Sequence, residues 1–153
     1  MFTRFATDAS PKLVPWREHA RRVVRGSGAT LEATTVGSVV WHLAAANNRI
    51  LARSAAVFAT VADATSVAQS SVDEAADLSP VLVRDGDHGA LGWFVELHGD
   101  VVATCSRWYA TERDRRNALG LALDCFPVAI VLSSARASHP ALTGSISIVR
   151  SDR

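Results

Sequence analysis

The chain has 153 residues, with 16 Lys and Arg against 15 Asp and Glu, and 48% of it is apolar. That length suits one domain, or two small halves around a shared core, and the apolar share is enough to fill one. A net charge of +1 excludes a chain that is basic throughout, as many nucleic-acid binders are, and equally an acidic, disordered one.

The opening residues, Met1 to Asp8, lack the apolar run of a signal peptide. The longest apolar stretch, around Pro127 to Leu132, is too short to cross a membrane. A cytoplasmic location is therefore expected. Charge is uneven along the chain. Before Leu31, Arg4, Lys12, Arg17, Arg21, Arg22 and Arg25 face only Asp8 and Glu18, whereas Asp63, Asp73, Glu74 and Asp77 lie in a stretch without Lys or Arg.

Residues 11–25 predict a two-faced helix within a basic segment, 1–30. Leu13, Trp16, Ala20 and Val23 recur at helical spacing, and Arg17, Arg21, Arg22 and Arg25 lie largely off that stripe. Pro11 and Pro15 fall early, so the regular part should begin near Pro15, and Gly26-Ser27-Gly28 should stop it. Such a helix either docks on the body as an extra layer or serves a partner, an anionic membrane surface or a polyanion.

A first unit is expected over 31–78. Leu31 to Val36 opens it as a strand. Val39, Trp41 and Leu43 then alternate with Val40, His42 and Ala44, the period of a strand. Asn47-Asn48 makes the turn, since Asn tolerates the left-handed region. Thr60-Val61-Ala62-Asp63 resembles a capping box, and Ala64, Val67, Ala68, Ser71 and Val72 form the thin apolar stripe of the helix behind it.

The second unit, 79–133, repeats this order. Pro80 to Arg84 reads as a strand, Asp85 to Gly89 as its turn, and Trp93, Val95 and Leu97 as alternate residues of the next strand. His98-Gly99-Asp100 turns the chain back and Val101 to Thr104 starts the return. Thr111-Glu112-Arg113-Asp114 caps a helix whose stripe is Leu119, Ala122, Leu123 and Phe126. Arg115 is out of place, on the apolar side near the helix start where the first unit has Ala64. Val128 to Leu132 is a further strand, and Gly144 to Arg150, in a tail spanning 134–153, a last edge strand.

Sliding the chain on itself by about 51 residues, a period that suits one supersecondary unit, lays Asn48 to Thr60 on Gly99 to Thr111. Phe58 then meets Tyr109 and Asp63 meets Asp114. Trp41 meets Trp93 after a slip of one residue.

Val40-Trp41-His42-Leu43-Ala44-Ala45-Ala46-Asn47-Asn48-Arg49-Ile50-Leu51-Ala52-Arg53-Ser54 resembles the signature of the YegP-like family, an aromatic strand, Leu-x-Ala-x-Asn-Gly and an Ile-rich strand ending in Ser. Ser106-Arg107-Trp108-Tyr109 is similar to the family's Ser-x-x-Tyr before the helix. The resemblance covers about Leu31 to Leu132. It implies an α+β fold of two tandem βββα-type repeats that form one antiparallel sheet with helices on one face, related by a pseudo-two-fold axis, so that the chain is an intramolecular pseudo-dimer and otherwise a monomer or weak dimer. The family is a domain of unknown function and implies no reaction, cofactor or catalytic residue.

The candidate sites are few. Asp85-Gly86-Asp87-His88-Gly89 lacks the closing Glu of a calcium loop and reads as a hairpin turn. His42, His88 and His98 with Asp87 and Asp100 lack metal-ligand spacing. Cys105 and Cys125 have no paired spacing and read as unbridged, buried thiols. No catalytic constellation, cofactor site or metal site is expected. Arg107-Trp108-Tyr109 with Arg113, Arg115 and Arg116 could stack on bases and hold phosphates. The leading expectation is a non-enzymatic binding module for an unknown protein or polyanion, with Arg17, Arg21, Arg22, Arg25, Arg107, Arg113 and Arg116 as contact residues. The alternative is a nucleic-acid- or ribosome-associated accessory protein, and a small-molecule enzyme comes third.

Overall fold

A computed structural model describes residues 2–4, 10–31, 37–132, 136–137 and 149–150. In chain order these form β1 (Phe2–Arg4), α1 (Leu13–Arg25), β2 (Val39–Ala44), β3 (Ile50–Ser54), α2 (Val61–Asp73), β4 (Ser79–Arg84), β5 (Leu91–Leu97), β6 (Asp100–Cys105), α3 (Glu112–Cys125), β7 (Ala129–Ile130), β8 (Arg136–Ala137) and β9 (Val149–Arg150). The fold is α+β. Five antiparallel strands, β4-β5-β6-β3-β2, make the body of the sheet, and β1 then β8 extend it beyond β2. No helix among the described residues is long and apolar enough to cross a membrane.

The two hairpins turn as their sequences require. Asn48 has φ 62° at the β2–β3 turn, and His98 and Gly99 have φ 54° and 91° at the β5–β6 turn. The left-handed region favours glycine and admits Asn and His. The hairpins then meet at β3 and β6, where Ala52 pairs with Cys105, Arg53 with Thr104 and Ser54 with Ala103.

Directly paired residues share a face of the sheet. One such row runs His42–Arg53–Thr104–Phe94 across four strands. The adjacent row runs Leu43–Ala52–Cys105 and faces the other way. The helices divide between these faces. The Trp41 ring meets Phe126, just past α3, edge-on at 6.4 Å, while its neighbour His42 meets Trp16 of α1 at 4.7 Å. Successive strand residues point to opposite faces, so α1 covers the face opposite Phe126 and forms the extra layer.

Helices α2 and α3 start alike. The Thr60 hydroxyl accepts from the Asp63 N–H and the Thr111 hydroxyl from the Asp114 N–H, each at 3.1 Å, so one orphan donor of each first turn is satisfied. Ala64, Ala68 and Ser71 are the buried residues of α2, and Ala118, Leu119 and Ala122 lie among those of α3. Arg115 is buried too. It donates to the Val83 carbonyl at 2.9 Å and to both Glu112 oxygens at 2.7 and 2.5 Å, which is why a guanidinium is tolerated on an apolar stripe.

Three expectations are corrected or fall elsewhere. Helix α1 begins at Leu13 rather than near Pro15, and Pro15 sits at its third residue, where the N–H is unbonded in any helix. The strand expected at Val128–Leu132 is only Ala129–Ile130, paired with Val149–Arg150 apart from the main sheet. The expected strand at Leu31 to Val36 falls outside the described residues after Leu31, and it is β1 that pairs with β2, Phe2 opposite Trp41. Cys105 and Cys125 are both buried and carry no disulfide.

Candidate functional site

Helix α1 has an inner and an outer face with different chemistry. Leu13, Trp16, Ala20, Val23 and Val24 are buried, the stripe expected from spacing with Val24 added. Fully burying a side chain of this size stabilises by about 1.5–3 kcal/mol, so the stripe holds α1 to the sheet. Polar contacts fix its register. The Trp16 indole Nε1 donates to the Ser54 carbonyl at 3.0 Å, and His19 Nε2 lies 2.7 Å from the Cys105 carbonyl oxygen, so that nitrogen carries the hydrogen.

The floor beneath α1 is polar. The Arg53 guanidinium lies over the Trp16 ring at 5.3 Å, and His42, its cross-strand partner, touches the same ring. Burial pushes the His42 imidazole down to about 3, with the Arg53 charge acting the same way. Burial also lowers His19, partly opposed by the bond to the Cys105 carbonyl and helped by Arg53 and Arg22. Desolvation lowers the pKa of Arg53 as well, yet a guanidinium remains charged in a protein. Both imidazoles are therefore held neutral beside a fixed cation.

Trp108 closes the far end of this interface. It packs on Gly92, where an added Cβ would come within 2.8 Å of the ring, so a residue without a side chain is required there. His19 meets the Trp108 ring at 6.0 Å and Arg22 lies over it at 5.1 Å. Arg22 also forms an ion pair with Asp85 and reaches His88 Nδ1 at 3.0 Å.

Asp85, Asp87 and His88 have ligand atoms within 4.8 Å of one another, in the turn read above as a hairpin. The Arg22 guanidinium already sits on Asp85 and His88, so the turn serves as an anchor for α1. His42 lies under α1 and His98 bonds Glu74. The structure thus does not gather the histidines weighed as a metal set.

The Arg22 hydrogen bond, chiefly, holds the Asp85 carboxyl down at about 2 against an ordinary 3.8. A depressed carboxylate stabilises the fold above its unfolded pKa, and that contribution is lost as pH falls through the folded value. Asp85→Asn should therefore remove a loss of stability seen between about pH 4 and pH 2, measured by urea unfolding at stepped pH. An unchanged profile would show that this pair does not secure α1.

The outer face of α1 carries the arginines. Val14, Arg17, Glu18, Arg21, Arg22 and Arg25 line a shallow depression of about 530 Å³. Arg17, Arg21 and Arg25 stand four residues apart, on one stripe with about 6 Å between successive turns. Arg17 donates to the Gly37 carbonyl at 3.2 Å. Arg25 is 74% exposed, 3.6 Å from Asp87, and Arg21 is exposed.

The other three predicted contact residues belong to other segments, Arg107 before α3 and Arg113 and Arg116 within it. Arg107 covers the Tyr109 ring at 5.4 Å. Arg116 bonds Glu112 at 2.8 Å, and Arg113 is exposed in the first turn of α3.

No family model matches this chain. The comparisons with curated proteins and with solved structures likewise found no match. The likeness to YegP-like domains thus rests on the quoted motifs alone.

The site offers no nucleophile paired with a base among the described residues. Cys105 gives α1 only its carbonyl, and burial pushes its thiol up to about 11, far from the thiolate a nucleophile needs. Sequence reasoning placed the arginines of α1 but missed Arg53 and His19. Arg53 left one signal, a charge inside a strand otherwise built of Ile, Leu, Ala and Ser. His19 left its spacing three residues from Trp16 on the inner side of the helix.

Proposed function

We propose that this chain is a non-enzymatic binding module whose cationic α1 face takes an acidic protein partner. One observation carries the reading. Helix α1 is docked by its apolar side, so Arg17, Arg21 and Arg25 are held on a fixed surface, with Arg22 beside them tying the helix to Asp85. Such a surface pays less ordering entropy on binding than a loose arm would, and its charge raises the rate and specificity of encounter. The nucleic-acid alternative draws on Arg107, Arg113 and Arg116 as well, and salt dependence of binding separates the two readings.

The test uses a poly-glutamate peptide and a mixed-sequence single-stranded RNA. The full chain should bind the peptide more tightly, and Arg21→Glu with Arg25→Glu should weaken that binding about tenfold or more, as reversed charges at an interface do. Tighter, steeply salt-dependent binding to the RNA would instead favour the nucleic-acid reading. Binding unaffected by the double variant would overturn both.

The body is read as two diverged copies with a local two-fold axis. The β3–β6 register supports this. At an offset of about 51 residues, Ala52 pairs with the counterpart of Ser54, Arg53 with its own counterpart, and Ser54 with the counterpart of Ala52. This reciprocity is what a two-fold imposes. The matched caps and the paired bridges Val39–Phe58 and Leu91–Tyr109 support it too, as do Trp41 and Trp93, both fully buried. A YegP-like ancestry fits such a pseudo-dimer, a monomer or weak dimer in solution. A cytoplasmic setting fits its unbridged thiols.

A further inference from the structure

A second concavity has no residue of α1 in its lining. It opens between α2 and the β5–β6 hairpin and has a volume of about 310 Å³, at the lower end of small-molecule sites. Phe58, Val67, Val101 and Val102 give it an apolar floor, and Ser70, Glu74, His98 and Asp100 a polar rim. The rim is acidic. Glu74 pairs with His98 at 2.7 Å, and Asp100 makes no ion pair among the described residues. No Lys or Arg lines the groove.

The groove exists because the first unit is small there. At the offset of about 51 residues, Ala56 and Ser70 of the lining correspond to Arg107 and Leu121. Arg107 covers the Tyr109 ring, whereas nothing so large follows β3 to cover Phe58, the counterpart of Tyr109. A floor of this size left open costs stability, since lost contacts are not replaced, and it costs less when something fills it.

We propose that this groove binds a small amphipathic cation, an apolar body on the Phe58–Val102 floor with its ammonium between Glu74 and Asp100. The apolar floor sets the body and the two carboxylates the head. A neutral analogue keeps the first and loses the second.

Phenethylammonium and 2-phenylethanol, titrated into the full chain and followed by amide NMR, test this. The ammonium should give saturable shifts confined to residues 66–74 and 97–102 and should bind more tightly than the alcohol. Glu74→Gln with Asp100→Asn should abolish that preference, about tenfold for two partly exposed carboxylates. Ser70→Leu, which imports the second unit's side chain, should block both compounds. Where Ser70→Leu fails to fold, the double variant decides alone. No saturable shifts at millimolar concentration, equal binding of alcohol and ammonium, or a folded Ser70→Leu variant that binds both normally would each overturn the proposal.

Discussion

Trp16→Ala should destabilise the protein by about 3–5 kcal/mol, the range for truncating a buried aromatic residue. Trp16 is 8% exposed and joins Leu13, Val40 and Val57 in one buried cluster. Its removal deletes the hydrogen bond to the Ser54 carbonyl and the ring that covers Arg53 and His42. The cost includes a cavity, because neighbours relax only partly. A melting temperature roughly 10 °C or more lower is expected for a chain of this length, measured by circular dichroism. A change under about 1 kcal/mol, the size of a surface substitution, would show that α1 adds nothing to the fold and is a passive appendage.

Stability should also fall in mild acid, well before the carboxylates titrate. The folded pKa of His42 is about 3 and its ordinary value 6.5. Above pH 6.5 neither state binds the proton and the stabilisation is complete. Between the two values the unfolded chain takes up a proton that the folded one refuses, so stability declines as pH falls from about 6.5 to about 3. The loss over that window should be roughly 3–5 kcal/mol. His19, also lowered by burial, adds in the same direction. His42→Gln removes the titrating group and should flatten most of the slope, whatever it does to absolute stability. Equal slopes in the two proteins between pH 6.5 and 4 would mean that His42 is open to water. The Asp85 window, about pH 4 to 2, overlaps it only between about pH 4 and 3, so slopes above pH 4 report His42 and slopes below pH 3 report Asp85.

Local chemistry was legible in the sequence. The Thr60 and Thr111 caps, the Asn48 and Gly99 turns and the inner stripe of α1 each depend on residues a few positions apart, and each was found where spacing put it. Arg115 was legible as an anomaly, yet its partner, the Val83 carbonyl, lies on another strand and leaves no local pattern. The polar floor under α1 was not legible. Both faces of β2 and β3 are covered, so alternation does not mark which face His42 and Arg53 share. Strand β1 has three residues, Phe2–Arg4, too few to show a period. The arginines of α1 were legible as lying off the apolar stripe, but whether they sat on a docked helix or a loose arm depended on contacts with strands many residues away.

Helix α1 is held on the sheet and presents its arginines from there. Amide hydrogen exchange in the intact protein tests it most directly, since exchange reports local opening. Amides of Ala20 to Val24 should exchange as slowly as those of Leu51 to Ser54 in β3. Exchange of Ala20 to Val24 at the rate of an unstructured peptide, with β3 still protected, would contradict it.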